Sequence, residues 1–210
     1  MKKSVLLVIV AISIAATSFA QEKRYGFESA ILKRKSVIQA AGIEQTVSST
    51  QYIADYGVKE SAETAMNVQG MEIFTFSMMK DGYAYTANLT TKQGMKVMNL
   101  ATVLGDYSAI DYLNLTDEVK KQFQIEENGN EQFLGKNCKS YGLTITVQGQ
   151  TMKATVLVWQ GLALKLSATA QNNISITDEV TEIQEGVKVP NEKFELPEGI
   201  EFMEVNLPGV

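Results

Sequence analysis

The stretch Gln132–Thr169 reads QFLGKNCKSYGLTITVQGQTMKATVLVWQGLALKLSAT and holds the chain's single Cys and single Trp. Tyr141, Leu143, Ile145 and Val147 alternate with Gly142, Thr144 and Thr146, the period of a half-buried strand. Gln148-Gly149-Gln150 is a turn. Ala154–Trp159 (ATVLVW) is apolar on both faces, as in a central strand covered on both sides. Gln160-Gly161 turns the chain again, and Leu162, Leu164 and Leu166 line one face of the next strand. This is the seam of an antiparallel sheet, which the rest of the chain is expected to flank or cover.

Upstream, five or six more strands follow the same pattern. Phe27–Val37 alternates in part, Ile43–Ala54 sets Ile43, Val47 and Ile53 among Ser and Thr, and Val58–Val68 forms a third strand. Met71–Lys80 is apolar on both faces. Asp81-Gly82 is a hairpin signal, because Gly supplies the positive φ of a tight turn, and Tyr83–Leu89 returns from it. Met95–Met98 opens a sixth strand.

The period changes after Asn99. Leu100, Val103, Leu104, Tyr107 and Ile110 recur at three and four, the helical spacing. A second helix has Thr116 as N-cap, Asp117 and Glu118 at its positive end, Lys120 and Lys121 toward its C-terminus, and Leu115, Val119 and Phe123 on its apolar face. Asn128-Gly129 is expected to stop it. Downstream of the seam, Ile174–Ile183 reads as a strand with a bulge between Ile176 and Val180. Phe194–Phe202 reads as a last edge strand, where Pro197 can lack its amide donor. The expected fold is mainly β (α+β): a single curved, half-open antiparallel β-barrel whose helical insert, about residues 100–127, covers the concave face.

The first residues read as an address. Lys2 and Lys3 precede an apolar run, Val5–Ala16, and Ser18-Phe19-Ala20 offers a cleavage site before Gln21. The run is shorter than the ~20 residues of a membrane span, and no Cys follows it to carry a lipid anchor. The expectation is a signal peptide over 1–20 and one domain over 21–210, exported to the periplasm, or secreted, with no membrane span after cleavage. Without Lys2 and Lys3 the chain keeps 17 basic against 24 acidic residues, a net charge of −7. That acidity argues against nucleic acid as a partner. Lys33-Arg34-Lys35 is the one basic cluster, with Lys33 and Lys35 on one strand face and Arg34 on the other; it could meet a phosphate or an acidic partner, and reads first as a solvated edge.

Chemistry is sparse. The chain has no His, which removes His-based triads and the commonest transition-metal ligand. One Cys makes neither an internal disulfide nor a zinc site; Cys138 reads as a small buried apolar residue. Asp178, Glu179, Glu182 and Glu185, like Glu126 and Glu127, lack the ligand spacing of a calcium loop. Met66, Met71, Met78, Met79, Met95, Met98 and Met152 suit core filling or an adaptable pocket wall, and thioethers also bind Cu(I). No catalytic residue, metal or cofactor is assigned, and the chain reads as a non-enzyme.

Four phrases carry a family resemblance: DGYAY (81–85), FLGKNC (133–138), VWQGLALK (158–165) and FELPEG (194–199). With them the chain resembles a family of exported bacterial proteins that is distantly similar to the Lol-type outer-membrane lipoprotein carriers. The resemblance implies a half-open β-barrel with helices plugging its concave side, a cavity that in the carriers holds acyl chains, and Arg34 as a candidate for the carriers' functional arginine. The expected ligand is then a lipid or acyl chain, with Leu104, Tyr107, Leu113 and Phe123 as a lid and Phe74, Phe76, Met78, Tyr85 and Trp159 as walls. The alternative is an interaction module with a filled core that binds an envelope protein partner through the edges at Phe27–Val37 and Phe194–Phe202.

Overall fold

A computed structural model describes residues 23–40, 42–68, 70–98, 110–147, 150–170 and 174–205. The expected signal peptide, and Leu104 and Tyr107 of the expected lid, lie outside them.

Twelve strands form one sheet: β1 (Ala30–Ala40), β2 (Ile43–Ala54), β3 (Lys59–Val68), β4 (Met71–Lys80), β5 (Tyr83–Asn88), β6 (Gln93–Met98), β7 (Glu126–Phe133), β8 (Lys136–Val147), β9 (Gln150–Trp159), β10 (Leu162–Thr169), β11 (Ser175–Glu185) and β12 (Glu201–Val205). Their order is β12-β6-β5-β4-β3-β2-β1-β11-β10-β9-β8-β7. The sheet is curved and does not close, so β12 and β7 are its edges. Every pairing is antiparallel except β12 with β6. Among the described residues one α-helix, α1 (Asp117–Phe123), stands between β6 and β7.

The hairpins form where the turn residues dictate. Asp81 (φ 51°) and Gly82 (φ 79°) are both left-handed, the conformation of a two-residue turn whose twist matches the flanking strands. Gln160 and Gly161 repeat it between β9 and β10. From Val156 to Trp159, β9 is buried at each position, as its double-faced apolar sequence requires.

Several expectations are corrected. The strand expected at Phe27–Val37 is not an edge: β1 lies between β2 and β11, and Arg34 is held rather than solvated. The last strand starts later than expected; Asn191–Phe194 forms a 3-10 turn, and β12 begins at Glu201. Helix α1 stops at Gln124, whose φ of 51° breaks it before Asn128-Gly129. The chain beyond is β7, whose residues up to Gln132 are all exposed. An edge strand wet on both faces has no apolar alternation to announce it. The bulge in β11 falls at Thr181, because Lys33 pairs with Glu182 and Arg34 with Val180; Ile176 to Val180 runs in regular register.

Two large apolar clusters and a smaller one build the core. The first lies on β8–β11 beneath residues 110–125. The second joins Tyr25, Phe27, Leu32, Ile53, Cys138, Trp159 and Leu164. The third gathers Phe76, Met78 and Ala87 under Leu196, Ile200 and Phe202.

Candidate functional site

The alternation of β8, β9 and β10 turns one face of the sheet into an apolar floor. Tyr141 pairs with Val156, which pairs with Leu166; Leu143 pairs with Ala154, which pairs with Ala168. All six are buried. Residues 110–125 roof this floor with Ile110, Tyr112, Leu115, Val119, Phe123 and Ile125. The Tyr112 and Tyr141 rings stand 5.8 Å apart. Thr116 caps α1 as expected, its hydroxyl accepting from the Val119 amide at 3.3 Å. Yet α1 has no fully buried residue. Two turns of helix with two partly buried apolar side chains are lightly seated, whereas Ile110 and Tyr112 anchor the segment before them.

A second cover comes from the N-terminal strap, Lys23–Phe27. Tyr25 stacks on Phe27 and Phe27 on Trp159, with centroids 5.3 and 5.2 Å apart. The Gly26 amide donates to the Gln160 carbonyl at 2.9 Å, and the Arg24 and Tyr25 amides donate to Tyr56. Lys136 Nζ lies 4.1 Å from the Trp159 ring centroid.

The same face continues from the apolar floor into a polar stripe. Asp178 pairs in register with Leu166 on one side and Ser36 on the other. Arg34 forms an ion pair with Asp178 and donates to the Ala163 carbonyl at 3.1 Å, while the Ser36 hydroxyl also donates to Asp178. Arg34 reaches Gln51 at 3.4 Å, and Gln51 donates to Glu60. Glu60 accepts from Arg24 at 3.0 Å and from the Tyr25 hydroxyl at 3.1 Å. Burial alone would raise the Asp178 pKa, but the Arg34 guanidinium and the Ser36 hydroxyl hold it below the ordinary carboxylate value. Burial pushes the Tyr25 phenol well up, so it stays a donor to Glu60.

The expected site residues do not all meet. Phe76 and Met78 are buried with Tyr85 in the third cluster, where the Tyr85 ring meets Phe202 edge-on at 5.3 Å. That cluster lies at the opposite end of the sheet from Trp159, six strand positions along the order. Phe74 is 46% exposed. Leu113 and Phe123 do belong to the roof segment: Leu113 sits against Gly161, and Phe123 packs on the apolar floor. Of the methionines, Met66 and Met152 are core, whereas Met71 and Met95 are exposed. Among the described residues no three His, Cys, Asp or Glu side chains converge as a metal site. Sequence reasoning missed the Arg24–Glu60–Gln51 part of the stripe. The signal was there in phase: Gln51 and Glu60 fall at inward positions beside Leu32 and Ile53.

An uncharacterised conserved protein from Thermus thermophilus is similar in structure, with a TM-score of 0.52 and 9% identity over 85% of this chain and 91% of that chain. The two share a fold. Similar solved structures also include a putative outer membrane lipoprotein-sorting protein domain from Vibrio parahaemolyticus (TM-score 0.40, 11% identity, 81% of this chain and 91% of that chain). A third is the Pseudomonas aeruginosa MucA/MucB complex (TM-score 0.46, 12% identity, 86% and 62%). No family model and no curated protein matches the sequence.

Proposed function

We propose that this chain is an exported, non-enzymatic binding protein that takes an acyl chain or similar apolar ligand between the apolar floor of β8–β10 and its roof. The observation that supports this most is the roof itself: α1 covers the buried floor without fully burying any residue of its own. A helix seated so lightly can lift at small cost while Ile110 and Tyr112 stay anchored, and each methylene that replaces it on the floor gains ~0.8 kcal/mol. Leu113 and Phe123 would form the described part of the lid, and Trp159 the wall beneath the strap. The roofed face is then the concave one, and the Arg34–Asp178 end of the stripe would meet the ligand's polar group.

Displacement of a fluorescent fatty acid by a diacylated lipopeptide tests this reading. Displacement that weakens in Phe123→Asp, with the circular dichroism unchanged, supports it; no displacement at saturating lipopeptide counts against it. A second reading draws on β12, whose Met203 is 66% exposed and Val205 37% on an outer edge. An extended segment of an envelope protein would add there as a further strand. β7 is less suited, since its bulge at Asn128 and its polar side chains guard it.

A further inference from the structure

The opposite face of the sheet carries an open trough of about 820 Å³, within the usual size of a small-molecule site. One cross-strand row runs the length of its floor. Lys35 of β1 pairs with Ser48 of β2, Ser48 with Ala65 of β3, and Ala65 with Phe74 of β4. Residues paired across an antiparallel ladder point to the same side. The row therefore sets an ammonium group at one end, two small residues in the middle and an aromatic ring at the other. Three strand spacings, about 14 Å, separate the two ends. Alternation turns the Arg34 side chain toward the roofed face, although Arg34, Ser49, Thr64 and Thr75 also border the trough from the rows between.

Two features of the row stand out. Phe74 is 46% exposed although Phe76 and Met78, on the same strand face, are buried. A rigid strand thus holds one ring in water beside a filled core. The other charges around the trough are satisfied: Lys33 by Glu182 at 2.7 Å and Glu63 by Lys193 at 2.7 Å. Glu179, the cross-strand neighbour of Lys35, is engaged by Lys165 at 3.4 Å. Among the described residues Lys35 has no carboxylate within ion-pair distance. Thr50 and Thr90 stand on the flanks, and Thr90 is fixed there by accepting the Phe74 amide at 3.2 Å.

We propose that this trough binds an acidic saccharide, one pyranose ring stacked on Phe74 and the carboxylate of a linked ring on Lys35 Nζ. An open, hydroxyl-flanked trough keeps its water, which suits a ligand with hydroxyls on both edges. It cannot dry an acyl chain, so an amphiphile would gain little of its hydrophobic transfer energy there. The span between Lys35 and Phe74 requires more than a single ring. Ser48 and Thr50 supply hydroxyls that both donate and accept along the way.

Calorimetry of the purified protein with digalacturonate, cellobiose and oleate tests the assignment. Digalacturonate is expected to bind more tightly than cellobiose. Lys35→Ala should weaken digalacturonate about fivefold, the scale of an exposed ion pair, and leave cellobiose unchanged. Phe74→Ser should weaken both about tenfold through the lost stacking surface. Both positions are on the sheet surface, and Lys139→Ala, an exposed lysine elsewhere, should change nothing. Phe123 is not among the residues that line the trough, so Phe123→Asp should leave saccharide binding intact. Equal affinity for the two sugars, digalacturonate binding indifferent to Lys35→Ala, or oleate alone responding to Phe74→Ser would each overturn the proposal.

Discussion

Arg24 and Glu60 lie 36 residues apart, yet their side chains meet at 3.0 Å with almost no exposure, 5% and 7%. The pair ties the N-terminal strap to β3, and the Tyr25 hydroxyl and Gln51 fill the remaining acceptor sites of Glu60. Such a pair contributes little net stability over an apolar replacement, but a lone survivor is costly. Arg24→Met should therefore destabilise by about 3–5 kcal/mol, measured by urea unfolding, and adding Glu60→Gln should restore most of that loss. An additive double mutant would show that the two groups are not coupled.

Gly161 marks where the strap and the roof segment converge. A Cβ there would stand 2.7 Å from the Arg24 carbonyl oxygen and 2.8 Å from Leu113 Cγ, at a φ of +87°. Gly82 has a similar φ of +79° and open space around it. Gly82→Ala should cost about 1–2 kcal/mol, the left-handed penalty alone. Gly161→Ala should cost about 3 kcal/mol or more, because the clash adds to that penalty. Thermal unfolding of the two variants compares them directly, and equal losses would mean the strap yields freely.

Asp178 makes part of the stability depend on acid. Its pKa is depressed in the folded protein, against ~3.9 in an unfolded chain. The contribution is therefore complete above the unfolded value and disappears as pH falls through the folded one. Asp178→Asn should lower stability at pH 7 and flatten its decline below about pH 4. A decline as steep as in the parent protein would assign the acid sensitivity to other carboxylates.

Cys138 has no solvent exposure, and burial pushes its thiol pKa up. Both effects suppress the thiolate, the reactive form. Labelling by a thiol reagent at pH 8 should be slow in the native protein and complete in denaturant. Rapid native labelling would place the thiol at the surface.

The strands were legible because their side chains face two different media. β2, β4 and β9 alternate or run apolar as their burial requires, and Asp81-Gly82 and Gln160-Gly161 can hardly do other than turn. Thr116 announced its helix through a capping chemistry that acts over three residues. What stayed hidden depends on distant pairing. β7 is wet on both sides, so nothing in Glu126–Phe133 reveals its partner. The central position of β1 follows from its pairing with β11, some 140 residues away, and no local pattern encodes that. Alternation alone sets Lys33 and Lys35 on one face and Arg34 on the other; the partner that holds Arg34, Asp178 on β11, is what the local sequence does not show. The wall residues were chosen by type, and type does not separate the cluster of Phe76 and Met78 from the stack on Trp159.

The roof over β8–β10 is the centre of this account, and native mass spectrometry of the protein purified gently from its native source tests it most directly. The account predicts a population carrying an added mass in the lipid range, which falls away in Phe123→Asp while the fold persists. A single unliganded mass in both proteins, unchanged after incubation with phospholipid or lipopeptide, would contradict it.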